Sequence, residues 1–422
     1  MPSVWFDVVA VLGLVVLLVV AFVHPPGWVE ALVGVVTAGV VVLAGSLPFA
    51  EVAEQVQRLF PVVAFLAAIL AVGALCAAEG VFAAVGVLLS RSGRHRPRRM
   101  LLLVFAAAAV TTAVLSLDAT VVLLTPVVAA AAAGSAVEAR PGVHACVRLA
   151  NSGSLLFPVS NLTNLLAVGA TSWSFLGFAG RTLPVWLVLV AMEYAAHRLF
   201  FAADLPAVTA RPDAPRPAYP LPRLPLVVLG AMLAGFAAAS PLGIAPAWVA
   251  AAAAVVLAVH AVRRRRVRLV DVVHAAHLSF GIYVLCLGVV VAGVVDGFLG
   301  GLVATVLPDV AGAPGLPELL AIALVATVLA NLVNNLPATL LLVPLVAPMG
   351  GVAVLAALVG LNVGSGLTWT GSLANLLWRR IQVRAGQPPS SRAFHRYSLL
   401  VTPPAVAVAV VVVWGWDRLL TR

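Results

Sequence analysis

The sequence predicts an all-α polytopic membrane protein: about ten transmembrane helices plus two re-entrant hairpins, in two inverted-topology repeats with broken helices. Composition, the placement of arginine and an internal repeat carry this prediction. Of 422 residues, 63% are hydrophobic and only 9% charged, whereas soluble domains carry about 25% charged residues. A soluble enzyme is excluded on that ground. The apolar runs are long and continuous, unlike the ten-residue alternating strands of an outer-membrane barrel, so that class is excluded too.

Taken in order, the first spans fall near 4–23, 28–46 and 61–78. The first lacks a positively charged preceding region and is expected to be retained rather than cleaved. The stretch 100–133 is too long for one untilted crossing and carries Asp118 in its middle, so it reads as a hairpin. Spans near 144–171 and 184–203 follow, then the Pro-rich segment 204–223, the clearest linker in the chain. Beyond it lie spans near 224–240, 245–262 and 277–296, a second hairpin over 317–348 with Asn334-Asn335 at its centre, and spans near 352–383 and 397–416. Irregular polar backbone at that depth must be buried in protein or line a water-filled cavity. Segments 81–90 and 298–307 are moderately apolar and suit the membrane surface.

Arginine sets the orientation. The chain has no lysine, and its formal net charge is +10. The loops 91–99, 134–148, 198–223, 263–268 and 379–396 hold 21 of the 25 arginines and all fall on one side. By the positive-inside rule that side is cytoplasmic, which puts both termini outside a plasma membrane. Basic residues spread through short loops serve topology, so nucleic acid is not a partner; the lipid bilayer is. Trp5, Trp28, Trp173, Trp414 and Trp416 sit near span ends, as an interfacial belt would.

The two halves match. Asn151 opens NSGSLLFPVSNLTNLL and Asn362 opens NVGSGLTWTGSLANLL, with eight identities in sixteen gapless positions at an offset of 211. AlaGluGly at 78–80 pairs with ValAspGly at 295–297 at an offset of 217, and at that offset Asp118 falls on Asn335. Each repeat has an odd number of spans, so the second is inverted relative to the first, with the site expected near the midplane at their interface. The chain then divides into 1–99, scaffold helices of the first repeat; 100–203, its hairpin and broken helix; 204–223, a cytoplasmic linker; 224–312, scaffold helices of the second repeat; and 313–422, the second hairpin and broken helix.

The chemistry lies where polar runs interrupt apolar spans. Asn151, Ser154, Ser160, Asn161, Thr163 and Asn164 break one span, and Ser365, Thr370, Ser372 and Asn375 break its mate. Together with Asn334 and Asn335 they are the candidate substrate ligands. Small residues of this kind also serve close helix packing, but two such runs at equivalent repeat positions favour a binding role. Asp118 is the candidate coupling residue: an acid within a span costs a few kcal/mol on insertion scales and usually has a function or a partner. Desolvation favours its neutral form, which suits a proton carrier. A permanently salt-bridged Asp118 is the competing reading; no arginine is expected in either hairpin or broken-span centre. Glu79 and Asp296 end their spans and read as interfacial. Glu193 and His197 share a helical face and read as a structural cluster near the cytoplasmic end.

Cys76, Cys146 and Cys286 are far apart and support no metal cluster or disulfide framework. With no lysine there is no GxxxxGK[ST] phosphate loop. No cofactor is implied, and transport is driven by an ion gradient or by a separate soluble ATPase. A channel fits poorly with hairpins and broken helices, and an intramembrane hydrolase lacks a partner for Asp118.

PVSNLTNLL (158–166), GSLANLLW (371–378), LDATVVLLTPVV (117–128) and LANLVNNLP (329–337) resemble the signature stretches of the arsenite efflux pump family, ArsB type, of the ion-transporter superfamily. The resemblance spans nearly the whole chain, from Glu79 to Trp378. It implies export of arsenite and antimonite in exchange for protons, held as the neutral trihydroxide by hydroxyls, amides and backbone. It also implies a mobile transport part moving elevator-like against a scaffold. Where the family more often reads Asn-Asp-Gly-Ala at the first tip, this chain reads Leu117-Asp118-Ala119-Thr120, which leaves substrate range and coupling ion open. A sodium-coupled dicarboxylate transporter or a sodium/proton antiporter of the same superfamily is the alternative; the first would want a fixed positive charge, the second more buried carboxylates.

Overall fold

A computed structural model describes residues 4–23, 25–93, 96–205, 220–295, 297–309 and 313–420. Among them there is no β-strand, and every long element is an apolar helix. In chain order α1 (Val4–Val23) and α2 (Gly27–Leu43) lead into α3 (Phe49–Ala78), α4 (Val81–Gly93) and α5 (Pro97–Val114). α6 (Leu117–Ala119) continues through a π-turn, Thr120–Leu124, into α7 (Thr125–Gly134). α8 (Arg140–Ser152) and α9 (Leu162–Val168) are one span interrupted by two 3-10 turns, and α10 (Phe175–Phe200) closes the first half.

The second half repeats the plan. α11 (Arg223–Ala239) and α12 (Pro246–Arg263) precede the short α13 (Leu269–Ala275), then α14 (Leu278–Val295) and α15 (Phe298–Val306). α16 (Leu316–Val333) and α17 (Asn335–Val346) form the second hairpin, α18 (Gly351–Asn362) and α19 (Leu373–Arg384) the second broken span, and α20 (Ser391–Leu420) ends the chain.

Among the described residues ten helices are long and apolar enough to cross a membrane, so the chain is a multi-pass membrane protein. Their membership differs from the sequence expectation. The ten include the hairpin arms Pro97–Val114, Leu117–Gly134 and Leu316–Val333, and omit α2 and both broken spans. The reason is geometric: α2 has 17 residues, and unwinding cuts each broken span into pieces too short to count. α3 also starts twelve residues before its expected span, because Glu51, Glu54 and Arg58 continue the helix as a polar extension. The linker 204–223, apart from its two ends, and Asp296 lie outside the described residues.

The hairpins turn where the helix loses its ladder. At the first tip, Ser116 is fully extended and its Oγ accepts from the Ala119 amide at 3.2 Å. At the second, Asn334 takes a positive φ of 75° and its Oδ1 accepts from the Leu336 amide at 3.4 Å. With ψ at 153° this is a backbone region that side chains rarely adopt, held here by the turn and its cap. α1, α2, α3 and α14 pack together as one block, and α16, α18 and α20 as another.

Candidate functional site

Each broken span restarts on a side-chain cap. Asn161 Oδ1 accepts from the Thr163 amide at 3.2 Å, and Ser372 Oγ accepts from the Asn375 amide at 3.3 Å. With Ser116 and Asn334 this makes four N-caps, and all four line a single cavity of about 90 Å³. Asp118 lies two residues past its cap on the same wall, half-buried, with no ion pair among the described residues. Ser160, Thr163 and Asn335 complete the polar lining from the broken span and the second tip. Phe65, Leu66 and Ile69 of α3 and Phe280, Tyr283 and Leu287 of α14 supply the facing wall, mostly apolar. Helix N-termini present unpaired amides and a positive dipole end, so the cavity offers donors for an oxygen-rich solute. It contains no arginine or histidine among its lining residues.

Six of the twelve candidate substrate ligands border this cavity: Ser160, Asn161, Thr163, Asn334, Asn335 and Ser372. The other six are Asn151, Ser154, Asn164, Ser365, Thr370 and Asn375, which lie behind it in hydrogen-bond networks, most of them following the repeat symmetry. Thr370 donates to the Asn331 carbonyl at 3.2 Å.

The lattice is built from four asparagines. Asn164 Nδ2 donates to the Ser154 and Phe157 carbonyls at 2.7 and 3.0 Å, and Asn375 Nδ2 donates to the equivalent Ser365 and Thr368 carbonyls at 3.0 and 2.8 Å. Each therefore satisfies the carbonyls freed by its own break. Each also accepts from the other repeat: Asn151 Nδ2 donates to Asn375 Oδ1 at 2.8 Å, and Asn362 Nδ2 to Asn164 Oδ1 at 2.6 Å. Asn362 Oδ1 in turn receives Thr163 Oγ1 at 2.6 Å and Asn161 Nδ2 at 3.1 Å, which ties the lattice to the cavity wall. Ser365 Oγ donates to the Asn362 carbonyl at 2.8 Å.

Sequence reasoning passed over two contributors, Asn331 and Glu30. Asn331 holds the second tip to its broken span: its Oδ1 accepts from the Thr368 amide and hydroxyl at 3.0 and 2.8 Å, and its Nδ2 donates to the Gly364 carbonyl at 2.9 Å. Its place inside LANLVNNLP was the available signal. Glu30, 4% exposed in the first turn of α2, lines the cavity from the scaffold. An acid near a helix start reads as a dipole partner, and only the fold brings it to the tips.

Arg148 corrects an expectation. It is not a loop arginine and the broken-span interior is not free of positive charge: Arg148 lies in α8, 2% exposed, 2.7 Å from Glu193 of α10. Its Nη1 donates to the Gly366 carbonyl of the second break at 2.9 Å. A Cβ at Gly366 would stand 2.6 Å from that guanidinium and would have to displace it. Glu193 also accepts from Tyr397 at 2.8 Å, Tyr397 lies 2.6 Å from His197, and His197 lies 3.1 Å from His144. The expected Glu193–His197 cluster is thus larger than the sequence indicated. Glu79 stands 3.7 Å from His260 at the end of α12. None of the three cysteines lines the cavity.

A family model described as CitMHS, citrate transporter, matches residues 4–364. The chain belongs to that family. Curated relatives named arsenical pump membrane protein, from Yersinia enterocolitica and Escherichia coli K12, are 26% and 27% identical over 275 and 281 residues. Those matches cover 62% of this chain and 64% of each relative's length. The resemblance to arsenite efflux pumps drawn from the sequence motifs is met by these relatives. The crystal structure of the Alcanivorax borkumensis YdaH transporter, described as having an unusual topology, superposes with a TM-score of 0.59 over 88% of both chains at 15% identity, a likeness of fold. The family is described as one of transporters, and the relatives and the structural neighbour are described as membrane pumps or transporters.

Proposed function

We propose that this transporter exports arsenite, and antimonite with it, in exchange for protons, by elevator-like alternating access across the cell membrane with both termini outside. One observation carries the reading: four helix N-caps and Asp118 converge on a cavity that has no cationic side chain in its lining. A neutral trihydroxide suits that wall. Its hydroxyls donate to Asp118 and Asn161 and accept from first-turn amides, and no fixed charge is needed to balance it. A citrate-like anion would want arginine or bound cations opposite its carboxylates, and the nearest buried arginine, Arg148, is already committed to Glu193. Exchange then rests on Asp118, which crosses protonated in one direction and gives way to substrate in the other.

A sodium-coupled carboxylate transporter is the second reading. It draws on the family description and on the convergence of helix N-termini, which favour anions. Uptake into everted vesicles separates the two. Arsenite accumulation that needs a proton gradient and ignores sodium supports export by exchange. Citrate uptake that needs sodium, with no arsenite accumulation, replaces it with the second reading.

A further inference from the structure

Of the buried residues Arg148, Glu193, His197, Tyr397 and His144, only His144 also lines a second cavity, of about 350 Å³, between the start of α8 and the α19–α20 connection. Glu138, Arg140, Gln387 and Ser390 at its rim are exposed, so water can enter. His144 is 6% exposed, and its Nε2 has no hydrogen-bond partner among the described residues. The proton positions follow from the Arg148–Glu193 pair. Glu193 faces Arg148 as a carboxylate, so Tyr397 donates to its Oε2 at 2.8 Å. Tyr397 then offers only lone pairs to His197 Nδ1 at 2.6 Å, and the Glu193 carbonyl at 2.9 Å is an acceptor too, so His197 carries its proton on Nδ1. His197 Nε2 accepts from His144 Nδ1 at 3.1 Å. His144 is thereby bare at Nε2, the atom that lacks a partner.

We propose that His144 is a proton entry site, and that His144, His197 and Tyr397 form a wire that carries a proton from this cavity to Glu193. The inference rests on the proton-exchange reading and adds to it a second proton-binding centre besides Asp118. Imidazole suits the task because each ring nitrogen can take or give a proton. A proton from cavity water bonds to His144 Nε2, and the Nδ1 proton of His144 passes to His197 Nε2. The Nδ1 proton of His197 passes to the Tyr397 oxygen, and the Tyr397 proton passes to Glu193 Oε2. Both imidazoles end neutral, Tyr397 ends as it began, and Glu193 has gained the one proton that entered. Every bond of the wire is then reversed and still made. The charged groups around it are few. α8 supplies Arg140 and Arg148, and Glu138 precedes it at the rim; Arg140 is paired with Asp204 at 3.4 Å. α20 supplies Ser398 and Thr402, which accept from Arg148. α5 supplies Phe105 against the His197 ring, and α19 supplies Trp378 and Gln382 at the cavity, none of them titratable. A proton on Glu193 cancels the charge that holds Arg148, which keeps only neutral acceptors, the Gly366 carbonyl of the second break among them. Proton loading and the Arg148 clamp on that break are therefore alternatives, as a switch requires.

Two measurements on the full chain test this. The first needs no substrate: nitrogen NMR of histidine-labelled wild type in bilayers, with the His144 and His197 signals assigned from His144→Ala and His197→Ala. At alkaline pH both rings should carry their proton on Nδ1, and on acidification both should change together to the Nε2-protonated form. Rings that keep one tautomer throughout, or a His144 that titrates while His197 does not respond, overturn the wire whatever the substrate proves to be. The second uses proteoliposomes. His144→Ala and Tyr397→Phe should each cut proton-driven arsenite accumulation by about tenfold, while arsenite counterflow persists. Imidazole added to the medium should restore accumulation to His144→Ala, whose vacated site adjoins the water-filled cavity, and not to Tyr397→Phe, where the break in the wire lies deeper. Equal loss of counterflow, or accumulation that imidazole leaves unrestored in His144→Ala, would make the cluster structural and overturn the proposal. A wild type that moves no arsenite defeats the proposed function instead, and the NMR titration still decides the wire.

Discussion

All five N–H donors of Arg148 are used inside the protein. Nε and Nη2 reach Glu193 Oε1 at 3.1 and 2.7 Å, Nη2 also reaches Thr402 at 2.9 Å, and Nη1 serves the Gly366 carbonyl and Ser398 at 2.9 and 3.4 Å. A flexible ammonium cannot reproduce that planar fork. Removing the guanidinium leaves Glu193 buried at 0% exposure without its counter-charge, a change that costs about 3–5 kcal/mol. Arg148→Leu is therefore expected to lower the thermal unfolding midpoint of the purified protein sharply, Arg148→Lys to lower it less, and Arg148→Leu with Glu193→Leu to recover part of the loss. Additive losses in that double variant would show the pair to be uncoupled. The sequence could not reveal this arrangement, because it sets Arg148 among loop arginines and places its partner 45 residues away. Glu30 was hidden in the same way. Asp118, by contrast, was legible as an acid in the middle of an apolar stretch.

Two elements, the broken spans, carry the repeat symmetry into the hydrogen bonds. Their sixteen-residue match located both breaks and all but one of the lattice asparagines among the candidate ligands; Asn362 entered only as the start of the repeat. The match could not say which amide meets which carbonyl, since that depends on how the two unwound stretches face each other. The division into cavity wall and lattice leads to different outcomes for two similar substitutions. Asn161→Leu removes a cavity residue and the α9 cap but leaves the carbonyls of the break with their Asn164 donors, so arsenite export should fall strongly with a smaller loss of thermal stability. Asn375→Leu strips donors from the Ser365 and Thr368 carbonyls and an acceptor from Asn151. A buried polar group left unsatisfied costs about 1–3 kcal/mol, so this variant should lose thermal stability as well as transport. Equal unfolding midpoints for the two would remove the distinction. Replacing Cys76, Cys146 and Cys286 together by Ala should leave arsenite export largely intact; its loss would favour a thiolate site over one of oxygen and nitrogen.

Across the whole molecule, the proposed elevator scheme assigns the cavity to one end of the movement. Its lining includes Ala21 near the end of α1, Glu30 at the start of α2 and Phe280 at the start of α14. In the proposed orientation that end is cytoplasmic, as the positive-inside rule expects from the arginine-rich loops, five of whose arginines lie in 91–99 and five in 263–268. A cysteine at Ser92, in a protein freed of its native cysteines, should then be shielded from impermeant maleimide in intact cells, and one at Thr305 should react. Arg380 makes the movement itself testable. It sits on α19 of the transport part and caps carbonyls at the end of scaffold helix α1, groups that have no intrahelical partner. An outward displacement has to break this contact, so a covalent link in its place should hold the cavity at the cytoplasmic end. Cysteines at Val23 and Arg380, joined by a short bismaleimide, are expected to stop arsenite transport while the unlinked double variant keeps it. If the linked protein transports at the full rate, α19 does not travel past α1, and alternating access must come from tip opening rather than from displacement of the whole transport part.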